Sequence, residues 1–160
     1  MKKYELTDET KIYFDRTLHR IKALRDIGED VKAGDLGGWI EKESNLSHDG
    51  DAWVYGNAKV YGNAQVYGDA KVYGNAKVCD NAEATEITDV FAVSPIGSRN
   101  DTTTFYRTKD DKIFVKCGCK NADIDTWLAM VKETHEDNKH AQAYKLAAQI
   151  ARLQILGKEE

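Results

Sequence analysis

The chain has 160 residues, with 23 lysines and arginines against 27 aspartates and glutamates, and a formal net charge of −4 at pH 7. No segment concentrates lysine and arginine, which excludes a DNA-binding surface, and the longest apolar runs are too short to span a bilayer. Three cysteines and the absence of an apolar stretch after Met1 predict a cytoplasmic protein without a secretory signal.

Residues 1–38 are predicted to form an N-terminal β cap. Residues 11–15 and 17–25 alternate between polar and apolar side chains, as half-buried strands do. The three-residue spacing of apolar side chains in the second stretch also fits a short helix. Its β-branched Thr17 and Ile21 favour the strand.

A six-residue repeat follows, and four successive copies of it fill residues 54–77. In each copy four residues alternate between inward and outward positions, and Gly-Asn or Gly-Asp forms a corner. Bends of one sense build a solenoid, and three sides make a turn of about eighteen residues. The inward positions hold valine and alanine: Val54, Val60, Val66, Val72 and Val78, with Ala52, Ala58, Ala64, Ala70, Ala76 and Ala82.

These hexads resemble the left-handed parallel β-helix of hexapeptide-repeat proteins. Residues 3–10, 21–27 and 31–41 are similar to the opening of a family of uncharacterised cytoplasmic hexapeptide-repeat proteins found in enterobacteria, phages and prophages. The resemblance implies a short left-handed coil over residues 39–86, capped by the N-terminal unit. An array of β-hairpins is the alternative, disfavoured because hairpins do not require identical inward residues at every sixth position.

The coil is expected to begin before the regular hexads. Counting back in sixes from Ala52 places Leu46 and Ile40 in an inward column. The same count gives His48 and Lys42 as companion inward positions, so the first coil is predicted to be irregular, as terminal repeats usually are.

Aromatic side chains line the outside of the predicted coil. Because aromatic residues are enriched at interfaces, we expect a homo-oligomer, with a trimer favoured as in many hexapeptide-repeat proteins. In the alternative, these side chains only cover the strand backbones. The predicted interface residues are Trp53, Tyr55, Tyr61, Tyr67 and Tyr73.

Residues 87–160 are predicted to form a small α+β domain with three strands and two helices. The strands are expected at residues 90–93, 102–107 and 112–116, and the second helix at residues 138–156. Asp123 is a suitable N-cap for the first helix and Gly157 suits the end of the second. Residues 94–101 and the Cys117-Gly-Cys119 segment resemble the terminal domain of many small phage proteins, although Lys120 replaces their usual aromatic residue.

The turn between the first two of these strands is the predicted ligand site. Backbone N–H groups, hydroxyls and one arginine in residues 97–104 suit an anion. A capped surface loop is the alternative. The predicted ligand-binding residues are Ser98, Arg99, Asn100 and Thr103, with Lys116 as a neighbour.

No residue set in the sequence indicates catalysis, a metal site or a cofactor. Hexapeptide acyltransferases use a histidine near a loop that leaves the coil as a general base. The predicted position of His48 points inward and no loop interrupts the hexads, so acyl transfer is disfavoured. Cys117 and Cys119 are interpreted as free thiols, and His135 and His140 as residues of a solvated helix junction.

Together these features predict a non-enzymatic, oligomeric binding protein of phage or prophage origin, located in the host cytoplasm. One form is an anti-defence protein that sequesters a nucleotide signal or blocks a host effector. The alternatives are a structural or protein-interaction module that uses the coil faces and, less favoured, a degenerate hexapeptide acyltransferase.

Overall fold

The computed structural model describes residues 2–158, which form a mainly β chain with its helices confined to the C-terminal part. No helix among these residues has the length and apolar character needed to cross a bilayer. The strands are β1 (Tyr4–Tyr13), β2 (Arg16–Ala23), β3 (Leu36–Ile40), β4 (Trp53–Val54), β5 (Lys59–Val60), β6 (Gln65–Val66), β7 (Lys71–Val72), β8 (Lys77–Val78), β9 (Glu83–Ala84), β10 (Val90–Ile96), β11 (Asp101–Arg107), β12 (Ile113–Cys117) and β13 (Lys120–Asp123). The helices are α1 (Ile124–His135) and α2 (Lys139–Ala151), and a π-helical turn, Arg152–Leu156, follows α2.

The hexad strands pair in parallel with strands eighteen residues later in the chain. Strand β4 pairs with β7, β5 with β8 and β6 with β9, in three separate sheets. The valine and alanine columns are buried, with at most 2% of each side chain exposed. Parallel pairing contradicts the hairpin alternative and fits a three-sided coil, whose handedness stays a prediction.

The first coil differs from its predicted register by two residues. Ile40 pairs with Val60 and Leu46 pairs with Val66, in both cases twenty residues apart. Leu46 and Ile40 therefore lie in the valine column and not in the alanine column. Two extra residues are accommodated between Leu46 and Val54, so His48 lies in an insertion and not in an inward column. The other predicted inward residue, Lys42, is exposed.

The N-terminal unit is an antiparallel hairpin that covers one side of the coil. Strands β1 and β2 pair with each other, and β2 continues the sheet onto β3. The strand prediction for residues 17–25 is confirmed, while β1 begins at Tyr4, earlier than predicted. The rings of Tyr4 and Trp53 meet edge to face at 6.3 Å, as do those of Tyr13 and Tyr61 at 5.5 Å.

Backbone hydrogen bonds join successive coils, and the groups left over at the two ends need other partners. An N–H of one coil donates to a carbonyl of the next, as from Trp53 to Ala70 (N–O 3.1 Å). The parallel ladders also contain bonds of the opposite sense, so each end of the coil leaves both carbonyls and N–H groups without ladder partners. At the first end the Lys3 ammonium donates to the Ala52 carbonyl (Nζ–O 2.7 Å) and has no exposed surface.

The far end is capped by acceptors. Asp89, which is almost fully buried, accepts from the backbone N–H groups of Thr85 (2.9 Å) and Glu86 (3.0 Å). Thr104 Oγ1 accepts from the Lys77 N–H at 3.0 Å. A buried ammonium thus caps a carbonyl at the first end of the coil, and a carboxylate and a hydroxyl cap N–H groups at the far end.

Lys3 makes stability depend on pH in the alkaline range. Burial first, and Arg25 second, lower the pKa of Lys3 to about 8. Between this value and its ordinary value near 10.4 the unfolded chain binds more protons, so the free energy of unfolding should rise with pH. We expect wild type to gain stability relative to Lys3→Met between pH 8 and 10, by at most about 1.4 kcal/mol per pH unit. Urea unfolding at each pH measures this difference.

The neighbouring Lys2 supplies the control for that experiment. Its ammonium is exposed and pairs with Glu43 at the surface (3.0 Å). Lys2→Met should leave the pH profile parallel to that of wild type. Parallel profiles for Lys3→Met and wild type would show that Lys3 does not titrate in this range.

The C-terminal part packs two helices on an antiparallel sheet of β10, β11, β12 and β13. Strand β13 was not predicted. The predicted helix caps are confirmed: Asp123 accepts from the Thr126 N–H at 3.0 Å, and Gly157 has a φ of 69°. The second helix ends as α-helix at Ala151 and continues as the π-helical turn. A separate buried cluster fills the space between sheet and helices, and includes Phe105, Trp127 and Tyr144.

Candidate functional site

A cleft of about 440 Å³ lies between the two strand turns of the C-terminal sheet and the helices α1 and α2. We call it the Cys117 cleft. One turn joins β10 to β11 and supplies Ser98 and Arg99; the other joins β12 to β13 and lies between Cys117 and Lys120. The remaining wall comes from the helices and includes Trp127, Glu133, His135 and Tyr144.

Two hydroxyl groups surround the Cys117 sulfur. Thr103 Oγ1 donates to Cys117 Sγ at 3.4 Å, and Tyr144 Oη lies 3.7 Å from the same sulfur. Burial first and the contact with Cys117 second raise the pKa of Tyr144 to about 12, so its phenol holds its proton at neutral pH. The sulfur therefore faces two hydroxyls that are able to donate hydrogen bonds to it.

The aromatic side of the cleft holds Tyr144 in place. Trp127 meets the Tyr144 ring edge to face at 5.1 Å, and the His135 ring lies 5.9 Å from it. His135 also lies 5.6 Å from His140. Sequence reasoning treated these histidines as a solvated junction, but His135 is a wall of the cleft.

The structure brings together only some of the predicted ligand-binding residues. Ser98 and Arg99 line the cleft, and Thr103 lies beneath it as the partner of Cys117. Asn100 is exposed in the turn with a φ of 52°. Lys116 does not belong to this group, because side chains alternate along β12 and its ammonium lies 5.5 Å from the Phe14 ring.

The predicted interface residues are likewise divided between the inside and the outside of the chain. Trp53 is 1% exposed and Tyr61 is 6% exposed, because the N-terminal hairpin covers them. Tyr55 and Tyr67 keep part of their surface, and Tyr73 is 46% exposed and stacks on Tyr55 at 4.6 Å. Trp53 and Tyr61 are therefore unavailable to a partner, and self-association through the other tyrosines stays a prediction.

A second candidate lies on the coil at the inserted residues. His48 lines an open cleft of about 410 Å³, and its Nε2 is 3.7 Å from a carboxylate oxygen of Glu43. However, Nδ1 accepts a hydrogen bond from the Lys3 N–H (3.2 Å), and Nε2 is buried without a hydrogen-bond partner. Nδ1 is already occupied and Nε2 is buried away from a substrate, so this geometry does not supply a general base.

A larger cleft, about 610 Å³, lies at the opposite end of strand β12. Its arginine, Arg152, donates to Asp125 at 2.7 Å, so its charge is already compensated. Asp111 and Asp123 add negative charge against Lys112, and the described residues that line this cleft include neither a thiol nor a histidine. The Cys117 cleft therefore holds the more reactive set of side chains.

Comparison with known proteins gives a partial relation to an enzyme. No protein-family model matches the chain. The chain is 38% identical over 63 residues to the uncharacterized acetyltransferase YdcK of Escherichia coli (strain K12), and the match covers 34% of this chain and 19% of that protein. This similarity fits the hexapeptide-repeat resemblance and contradicts the prediction that the chain is not an enzyme. It offers no support for a phage origin or an anti-defence role.

Proposed function

We propose that this chain takes part in acyl transfer, with Cys117 as the nucleophile and a left-handed hexapeptide coil as the scaffold. The observation that carries the proposal is the Cys117 thiol, which lines a cleft between the hydroxyls of Thr103 and Tyr144. The similarity to a protein named as an acetyltransferase supports the reaction class.

The chemical step is a thiol–thioester exchange. The Cys117 sulfur attacks the carbonyl carbon of an acyl thioester, and a new C–S bond forms to the protein. The C–S bond to the donor breaks, and the departing thiolate takes up the proton that Cys117 gives up. An amine or hydroxyl of an acceptor then attacks the acyl-cysteine, which releases the acylated acceptor and restores the thiol.

The surrounding groups have separate tasks in this step. The protonated Tyr144 phenol and the Thr103 hydroxyl can stabilise negative charge that develops at the reacting centre. The apolar side chains of Trp127 and Val131 exclude water from one side of the cleft. His135, at the wall, is available to accept a proton from the acceptor nucleophile.

Acetylation of the protein itself tests the proposal. After incubation with acetyl-CoA, we expect intact-mass spectrometry to show one added acetyl group, and peptide mapping to place it on Cys117. The label should be removed by hydroxylamine, since thioesters react with it. Cys117→Ser should lose at least about nine tenths of the label, because a serine hydroxyl is a far weaker nucleophile than a thiol.

Cys119 provides the matched control, because it is two residues away and exposed. Cys119→Ser should acquire the acetyl group as wild type does. An unlabelled wild-type protein, or equal labelling of the Cys117→Ser variant, would overturn the proposal.

A further inference from the structure

Arg99 presents a guanidinium group to the Cys117 cleft without a carboxylate partner. Across residues 2–158, ion pairs involve Arg16, Arg20, Arg107 and Arg152, but not Arg99. Arg99 is exposed and forms part of the cleft wall beside Ser98. An arginine fork directed into a cleft and left without a counter-ion is suited to a planar oxyanion.

Two glycines allow this arrangement by leaving room at the turns. A Cβ on Gly118 would overlap Arg99 Nη2, so the guanidinium rests directly on the backbone beside Cys117. A Cβ on Gly97 would overlap Tyr144 Oη. Both glycines have positive φ, 60° and 80°, which a larger residue adopts only with strain. The two turns thus leave space for Arg99 and for Tyr144 in the cleft that contains Cys117.

The charge of the cleft favours an anion. Among the described lining residues, the ionised side chains are Arg99 and Lys120 against the carboxylate of Glu133. Lys120, like Arg99, has no carboxylate within ion-pair distance over the described chain. A cleft with an apolar floor and excess positive charge concentrates anions near its nucleophile.

We propose that Arg99 is a specificity residue that binds an oxyanion, a carboxylate or phosphate, carried by the substrate whose reacting atom meets Cys117. This assignment rests on the proposed acyl transfer for the role of Cys117, but the anion site itself is a separate property. Arg99 acts in it as a binding group, and Gly118 acts by leaving space for the guanidinium.

Titration with inorganic phosphate and with acetate at constant ionic strength tests the site. We expect saturable shifts in the amide NMR signals of Ser98 and Gly118 with at least one anion, and the tighter of the two identifies the substrate group. Arg99→Gln should weaken binding about tenfold or more, because a charged hydrogen-bond pair is lost. Arg99→Lys should bind more weakly than wild type, because it keeps the charge but loses the fork.

Arg25→Gln is the control, since Arg25 also has no ion pair across residues 2–158 and bonds only to the Asp26 carbonyl (3.0 Å). It should bind both anions as wild type does. Cys117→Ser should also retain anion binding, which separates this inference from the acyl-transfer proposal. Wild type without saturable shifts for either anion, or Arg99→Gln with unchanged affinity and an otherwise unchanged spectrum, would overturn it.

Discussion

The variant Val66→Asp is expected to lose about 3–5 kcal/mol of unfolding free energy, enough to unfold a domain of ordinary stability. Val66 is 1% exposed and lies between Leu46 and Ala84 in the valine column of the coil. A carboxylate there would be buried with no cation beside it, because its neighbours in the column are apolar. Urea unfolding compares the midpoints of the two proteins.

Asn63→Asp is the matched control for this substitution. Asn63 lies at an exposed corner of the same coil, and the next hexad already has an aspartate, Asp69, at the equivalent position. The control should unfold within about 0.5 kcal/mol of wild type, as surface substitutions usually do. No loss in Val66→Asp would mean that the valine side chain faces water, and an equally large loss in Asn63→Asp would mean that burial is not the cause.

The variant Asn45→Ala is expected to lose about 2–4 kcal/mol, because several backbone groups lose their partner at once. Asn45 has no exposed surface. Its side-chain oxygen accepts from the Lys42 N–H (2.9 Å), and its amide donates to the carbonyls of Ala64 (2.9 Å) and Gly62 (3.2 Å). Thermal or urea unfolding measures the loss.

Asn57→Ala supplies the comparison for Asn45, since Asn57 is an exposed corner residue without a side-chain hydrogen bond between residues 2 and 158. We expect a change of about 0.5 kcal/mol or less for it. If Asn45→Ala were equally mild, water would be replacing the side chain, and the first corner of the coil would be open to solvent.

The regular hexads could be predicted because their period determines their pairing. Every sixth residue is alike, so valine and alanine columns follow from the sequence without knowledge of distant contacts. The two-residue insertion near His48 could not be found in this way, because counting in sixes assumes the period it is meant to test. The structure identifies it through the pairing of Leu46 with Val66.

The caps of the coil escaped prediction for a different reason. Lys3 and Asp89 are ionisable residues, which usually lie on the protein surface, yet they are buried at opposite ends of the coil. Both side chains bond backbone groups that the coil leaves unpaired at its ends, and these groups can be identified only once the strands are paired. The hairpin that covers Trp53 and Tyr61 is also a long-range contact, so both residues were expected outside.

The candidate site was predicted in part. The glycine- and hydroxyl-rich turn indicated Ser98 and Arg99, since local composition carries that signal. Tyr144 and His135 reach the same cleft from helices far along the chain, and only the packing of α1 and α2 on the sheet brings them to Cys117. Lys116 was expected as a neighbour of the site, but strand alternation turns it to the face opposite Cys117.

Scalar couplings across hydrogen bonds, measured by NMR, test the stacked coil most directly. The coil predicts couplings from the Lys59 N–H to the Ala76 carbonyl and from the Gln65 N–H to the Ala82 carbonyl, whose N–O distances are 2.9 and 3.0 Å. Couplings that join neighbouring hexads across antiparallel strands, in place of these, would contradict the coil and the account built on it.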